Sequence, residues 1–575
     1  MAIGSILVQQ GLITREQLES AQLEQGAGGE RIDRVLMRQG LVTRAQVTQA
    51  VSDQFHLPVV DLPSLTVDPA VLAMIPAKLV FKQQCVPIER SNGALKVATA
   101  DPFELSVLDE LKLVTGCPIE LVLADEEDLH KFIQANYGVG GDTLDAMSAG
   151  LADVGIADQP SDELEQAQEA SVIKLVNDLL AEAISQRATD VHIEPYEREL
   201  VVRYRIDGVL ERANVPSSIS RFAGAIISRL KIMANLNIAE KRKPQDGRIT
   251  FRCRPAGRGT EEFDLRVSVI PMLFGEGVVL RVLSKTAVLM TLDQLGMPAD
   301  VLAKWDLLIQ RPHGILLVTG PTGSGKSTTL YASLNRIISD EIKAITVEDP
   351  VEYHVSGVNQ IQVNHKVGLD FAAGLRAILR HDPDVVMIGE IRDKETADTA
   401  IQASLTGHLV FSTLHTNDAA GATTRLLDMG VEPFLVSSSV EGIMAQRLVR
   451  RICPECTVRF DPREATPETH AAAYTHHNLF DPLPEGLRLE AGGMLAYGSG
   501  CRNCRNTGYR GRVGVYELLS ISEHTRERIM HHASATSIAQ DAKAARELFT
   551  LGEDGLAKVR SGLTTIAEML RALTV

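Results

Sequence analysis

Apolar positions along this chain follow two rhythms, a helical one at three and four residues and an alternating one at two, and the changes between them mark its parts. At the start, the segment Ile3–Arg15 recurs as Ile32–Arg44, with Gly11 and Gly40 placed to end a short helix and Thr14 and Thr43 placed to cap the next. This predicts a duplicated helical hairpin, and packing of one copy on the other accounts for the Leu and Ile positions. From residue 56 to 137, strand-like runs at Pro58–Leu62, Ala94–Thr99 and Ile119–Leu123 alternate with helical ones, so 1–137 reads as hairpins plus a small α/β part. Residues 138–170 keep neither rhythm and carry no basic residue between Asp142 and Glu169, the composition of a flexible acidic linker. Over 171–285 an amphipathic helix, Val172–Ser185, precedes alternation at Val191–Glu194 and Leu200–Ile206, closed by the turn Asp207–Gly208. Apolar runs that each end in polar or acidic residues fill 286–452; paired cysteines lie in 453–511, and 512–575 reads as a charged helical tail.

Composition narrows the class. The 575 residues call for several domains, and 45% hydrophobic with 23% charged residues is ordinary for chains that bury cores. A net charge of -16 argues against broad contact with nucleic acid or anionic lipid. No uncharged apolar run approaches the ~20 residues of a membrane helix, and the opening Met-Ala-Ile-Gly-Ser lacks a secretory pattern, so a cytosolic protein is expected. Cys85, Cys117 and Cys253 stand alone and read as small core residues.

The chemistry begins at Gly320-Pro321-Thr322-Gly323-Ser324-Gly325-Lys326-Ser327, followed by Thr328. This is the GxxxxGK[ST] phosphate loop, with an apolar run at Ile315–Thr319 before it and a helix-compatible segment after it. Glycines let backbone N–H groups turn toward phosphate oxygens, the new helix adds its positive end, Lys326 supplies a point charge and the Ser327 hydroxyl a ligand for Mg²⁺. A chance Gly-rich turn is the bland alternative, and both flanks oppose it. Three further segments suit the same site: Ile345–Glu352, with Glu348 and Glu352; Asp382–Glu390, an apolar strand ending on Glu390; and Thr406–His415, with His408 and His415. Acids at the carboxyl ends of parallel strands beside a phosphate loop hold Mg²⁺ and orient water, whereas singly each is an ordinary cap or turn.

Cys453-x-x-Cys456 and Cys501-x-x-Cys504 supply four thiolates in two knuckles, the ligand set of a closed zinc site. A redox dithiol is the weaker alternative because no thioredoxin-like context surrounds either pair. Four cysteines fill the shell, so His470, His476 and His477 between them are expected to be exposed. Arg203 and Arg205, two apart on a predicted strand, share one face and suit the role of arginine fingers; a solvated basic face is the alternative.

At this point the chain resembles the secretion ATPases of type II secretion and type IV pilus assembly, the GspE/PilB family. The residues that carry the resemblance are TGPTGSGKST, ITVEDPVEY, DPDVVMIGEIRD and TGHLVFSTLHTND, with DVHIEP, VVRYRIDGVL and AEKRKPQDGRI before them. The resemblance implies an α/β multidomain protein: a RecA-like P-loop ATPase core, preceded by a small α/β, PAS-like domain and an MshEN-like N-terminal domain, with a tetra-cysteine zinc subdomain. It implies that Lys326 and Ser327 hold phosphates and Mg²⁺, that Glu390 supports the metal, and that Glu352 serves the attacking water with Glu348 as its rival. His408 and His415 would sense the γ-phosphate. It further implies a homo-hexamer docked on an inner-membrane platform protein at the cytosolic face, extruding pilin or pseudopilin subunits, and it favours assembly over retraction, whose ATPases lack the cysteine module. The duplicated hairpin resembles a tandem cyclic di-GMP motif whose ideal start is Arg-Leu-Gly. Here the copies read Ala2-Ile3-Gly4 and Arg31-Ile32-Asp33, so ligand binding and a purely structural or docking role both stand. A hexameric nucleic-acid motor and a non-hydrolysing regulatory module are the alternatives from other classes. The acidic balance opposes the first, and intact Glu352 and Glu390 the second.

Overall fold

The computed structural model describes residues 3–25, 32–91, 93–102, 105–141, 143–144, 147, 169–253, 260–284, 290–461, 469–470 and 494–573. The chain divides into two compact units, Met1–Ser284 and Lys285–Val575.

In the first unit the helices Ile3–Gln9, Arg15–Gln25, Ile32–Arg38 and Arg44–Phe55 form the duplicated hairpin. Gly11 and Gly40 adopt φ of 72° and 70°, the left-handed region that ends each short helix. Thr43 and Gln46 make a capping box, with Gln46 N–H on the threonine hydroxyl at 3.3 Å and Thr43 N–H on Gln46 Oε1 at 2.8 Å. Thr14 and Gln17 repeat it. Matched pairs Ile6 and Val35, Leu7 and Leu36 meet in one small core. The acid at the second motif start, Asp33, is buried, and the first motif's Arg-equivalent Ala2 and the second's Arg31 lie outside the described residues.

Next comes a three-stranded sheet of β1 (Cys85–Ser91), β2 (Ala94–Thr99) and β3 (Ile119–Leu123), with β1–β2 antiparallel and β2–β3 parallel. Pro58–Leu62 is not a strand. Only Val59 bridges, to Leu123, because Pro58 has no N–H to donate and a 3₁₀ turn starts at Leu62. At the start of the span read as a linker, Val139 and Leu144 are buried in the core around the helix Ala170–Ser185, so packed chain extends past residue 138. Of that acidic stretch only residues 138–141, 143–144, 147, 169 and 170 are among the described residues.

Six antiparallel strands follow, β4 (Asp190–Pro195), β5 (Leu200–Ile206), β6 (Val209–Arg212), β7 (Gln245–Cys253), β8 (Glu261–Met272) and β9 (Gly275–Ser284), in the order β6-β5-β4-β9-β8-β7. Alternation decides the faces: Val191, Ile193, Val202, Tyr204, Leu265, Val267, Val278 and Leu280 are buried with Leu175, Leu179, Ile226 and Leu230 of two helices. The opposite face carries Arg203 and Arg205.

The second unit centres on an eight-stranded sheet. Its strands are β10 (Gly314–Thr319), β11 (Ala344–Glu348), β12 (Val358–Gln362), β13 (Val385–Ile388), β14 (Leu409–Leu414), β15 (Val440–Ile452), β18 (Tyr509–Ser520) and β19 (Leu548–Phe549), in the order β12-β11-β13-β14-β10-β15-β18-β19. β10 to β15 run parallel, and β10, β13 and β14 are buried along their whole length, as expected of strands covered on both faces. The span 512–575, read as helical, begins inside β18, which pairs antiparallel with β15 and so extends the ATPase sheet; only then come the helices Glu523–Met530, Ala535–Ala544, Leu551–Arg560 and Ile566–Leu573. A small hairpin, β16 (Thr457–Phe460) and β17 (Leu495–Gly498), lies between the cysteine pairs and packs on Leu556, Val559, Ile566 and Met569. No helix among the described residues is long and apolar enough to cross a membrane.

Candidate nucleotide site and cysteine cluster

β10 ends at Thr319 and the phosphate loop follows, leading into the helix Lys326–Ile337. The loop is pressed against the chain just past the β10–β15 pairing. A Cβ on Gly320 (φ 147°) would sit 2.5 Å from Gln446 O, and one on Gly325 (φ 91°) 2.7 Å from Gln446 Nε2, so both positions require glycine on two counts. Lys326 Nζ donates to the loop's own carbonyls, Gly320 O at 2.7 Å and Pro321 O at 3.1 Å. Burial pushes this amine down to about 8, with Glu390 opposing and Arg447 adding to the effect. Ser327 is exposed on the first helical turn, and the buried Ser324 hydroxyl has no hydrogen-bond partner among the described residues. An anion-shaped cradle, a lysine held only by carbonyls and an orphaned hydroxyl together fit the phosphates of a nucleotide.

The acids sort themselves by environment. Glu348, at the end of β11, is 4% exposed and accepts from Tyr331 Oη, from Thr346 Oγ1 at 2.6 Å and from Gln360 Nε2 at 3.1 Å. Tyr331 Oη in turn accepts the Glu352 N–H at 3.3 Å, so Glu348 anchors the turn from which the half-buried Glu352 projects. Glu390, just past β13, pairs with Arg392 and lies 3.1 Å from His415 Nε2. His415 follows β14, at the same edge of the sheet as the phosphate loop.

His408 does not join them. It precedes β14, its carbonyl accepts from Gly314 N–H at the start of β10, and its Nδ1 bonds Ala403 O at 2.9 Å, closing the helix Lys394–Leu405. A strand of this length puts it roughly 20 Å from the carboxyl edge at ~3.3 Å per residue. Arg203, in the first unit, donates to Glu194 Oε2 through Nε (2.9 Å) and Nη2 (2.5 Å); Arg205 lies 3.5 Å from Asp190 Oδ2 and donates to Gly208 O at 3.2 Å.

Sequence reasoning passed over Gln446 and Arg447. Gln446 Oε1 accepts from the buried Thr329 hydroxyl at 2.7 Å, and Arg447 donates to Gln446 O and Asn417 O. Two polar residues interrupting the apolar run of β15 were the available signal.

Cys453, Cys456, Cys501 and Cys504 converge, with their sulfurs all within 4.8 Å of one another. Backbone N–H groups of Cys501 and Gly508 point at Cys504 Sγ at 3.2 and 3.3 Å, the donors a thiolate would use. The donor set and spacing fit a tetrahedral thiophilic ion. His470 is half-buried rather than exposed, with its Nδ1 3.1 Å from Tyr497 Oη and its ring against Phe460, because the hairpin offers it an aromatic floor. His476 and His477 lie outside the described residues.

A parallel sheet with a phosphate loop after an inner strand and carboxylates at the neighbouring strand ends defines a P-loop ATPase. The family model described as type II/IV secretion system protein matches residues 165–571, and that of the MshEN domain matches residues 55–143. The chain is similar to the type IV pilus assembly ATPase PilB of Myxococcus xanthus, 41% identical over 99% of this chain and 98% of the relative. It is also similar to the type II secretion system ATPase E of Vibrio cholerae, 49% identical over 82% and 90% respectively. Among solved structures, the pilus retraction motor PilT with bound ADP is 26% identical over 69% of this chain and 96% of that one, at a TM-score of 0.42. The chain belongs to the type II/IV secretion system protein family, as an ATPase of the kind that serves type II secretion and type IV pilus assembly.

Proposed function

We propose that this ATPase works as a cytosolic hexameric ring on an inner-membrane platform protein, which it reaches through partners, and that hydrolysis drives extrusion of pilin or pseudopilin subunits. The observation that carries this reading is the end-to-end similarity to a pilus assembly ATPase combined with the nucleotide edge of the sheet. Nucleic acid is left out, since the chain carries a net charge of -16.

In this reading the loop from Gly320 to Thr328 holds the phosphates of ATP through its backbone N–H groups, Pro321 excepted, and the Lys326 ammonium, and Ser327 and Glu390 hold Mg²⁺, which neutralises phosphate charge. Glu352 orients the attacking water from a turn fixed by Glu348. His415 tunes Glu390, while His408 serves the helix end. Arg203, and less directly Arg205, supply transition-state charge as arginine fingers. The four cysteines hold zinc as a structural ion, and metal analysis of protein purified without chelator is expected to give about one zinc per chain; none would remove zinc from the proposal. Buried Asp33, where a glycine would admit a phosphate, favours docking over cyclic di-GMP binding for the hairpins.

Replacing the chromosomal copy with Glu390→Gln tests the job itself. Loss of surface pili with normal enzyme secretion identifies a pilus assembly motor, the reverse a secretion motor, and no effect on either contradicts the proposal.

A further inference from the structure

We infer that Arg447 is a positioning residue of the ATPase, holding the loop His415–Ala419 in register with the phosphate loop. β15 accompanies β10 until Ala445 lies beside Thr319, so Gln446 and Arg447 emerge where the phosphate loop begins. Arg447 Nη1 is 3.2 Å from where a Cβ on Gly320 would stand, and Nη2 donates to Asn417 O at 2.8 Å. One guanidinium therefore fills the space beside the first glycine of the phosphate loop and bonds the loop that carries His415.

The same loop is pinned on either side. Thr416 N–H donates to Thr319 Oγ1 at 2.9 Å and the two hydroxyls are 2.6 Å apart. Ala419 N–H donates to the buried Glu517 carboxylate at 2.7 Å, and His415 Nε2 stands 3.1 Å from Glu390. A displacement of this loop would carry His415 away from Glu390.

Arg447 is 4% exposed and makes no ion pair among the described residues. Glu517 and Asp418 oppose the effect of burial from nearby without pairing with it. Burying a cation with no carboxylate in direct contact is costly, and a fold that only needed to tie two carbonyls together could use a neutral side chain. The planar fork of Arg447 offers two carbonyls two separate nitrogens at fixed angles, where a lysine ammonium offers a single nitrogen on a flexible stem.

The inference rests on reading Glu390 and His415 as the pair beside metal and water, so its test has a readout that does not depend on turnover. Amide exchange at Thr416 and Ala419 is measured on the full, nucleotide-free chain, and kcat and KM for Mg-ATP on the same preparations, for Arg447→Lys, Thr416→Val and the double variant. Exchange at both amides should rise about tenfold or more in each variant, with kcat falling about tenfold and KM changing less than about twofold, since the loss is of alignment rather than affinity. The double variant should be no slower than the slower single one, because both changes free one loop. Unchanged exchange would overturn the clamp, as would a raised KM at constant kcat, which is the mark of an anion-binding group. Faster exchange with unchanged turnover would overturn the reading of Glu390 and His415, and with it the positioning role. Should Arg447→Lys fail to fold, Arg447→Gln, which keeps an N–H donor but not the two-armed fork, carries the same readings.

Discussion

Glu568 and Glu390 are both carboxylates engaged by arginine in the second unit, and their surroundings could hardly differ more. Glu568, 2% exposed on the last described helix, accepts the Arg450 N–H at 3.1 Å, Arg450 Nη2 at 2.6 Å, and Arg571 Nε and Nη2 at 3.0 and 2.8 Å. Arg450 also lies 4.2 Å over the Tyr509 ring. Glu390 has two partners, Arg392 and His415, whose side chains are 61% and 51% exposed. A carboxylate with every lone pair answered is a brace, here tying the chain's last helix to β15 beside the cysteines. One with exposed, movable partners keeps the capacity to take a metal or a water. The same contrast separates Ser324, whose buried hydroxyl has no hydrogen-bond partner among the described residues, from Thr329, whose hydroxyl is bonded to Gln446.

The largest expected effect extends this contrast to the first unit. Arg203 spends two donors on Glu194 and keeps the rest of its fork; Arg203→Ala should lower kcat about 10³-fold while sparing nucleotide affinity. Normal turnover in that variant would remove Arg203 from the mechanism.

At the brace the effect should be on stability instead. Burial pushes the Glu568 carboxyl up, but hydrogen bonds from Arg571 and Arg450 outweigh it and hold the group at about 2, against 4.5 unperturbed. Because the folded value is depressed, the contribution is complete above pH 4.5 and is lost as pH falls toward 2. At neutral pH it amounts to about 3 kcal/mol. Glu568→Gln should therefore destabilise the unit by about that much in denaturant titration at pH 7 and flatten its acid loss between pH 4.5 and 2. An unchanged midpoint would deny the brace. The smallest effect belongs to His408. His408→Ala should cost about 1 kcal/mol through a lost helix-end bond and leave kcat unchanged; a kcat loss comparable to that of His415→Ala would return His408 to the site.

What the chain disclosed in its sequence is what chemistry or repetition forces. Gly320 to Ser327 follows the pattern that wrapping a phosphate would require, the two Cys-x-x-Cys pairs have the spacing that sharing an ion would require, and the hairpins announce themselves because Ile3–Arg15 is written twice. What stayed hidden depends on partners distant in sequence. Cys85–Ser91 is a strand because Ala94–Thr99 pairs with it, yet Pro87 and the charged Glu89-Arg90 break its alternation. β18 belongs to the ATPase sheet because β15 reaches it across the cysteine module. His408 and His415 look like companions in one motif, but the strand between them carries them to opposite edges of the sheet.

The most direct measurement is phosphate release from Mg-ATP by the full chain beside Lys326→Ala at equal protein concentration. Turnover by the parent with loss of at least about 10²-fold in the variant, both keeping the same melting temperature, is the predicted result. Equal phosphate release by the two proteins would contradict the account at its centre, since the loop from Gly320 to Ser327 would then not be where hydrolysis occurs.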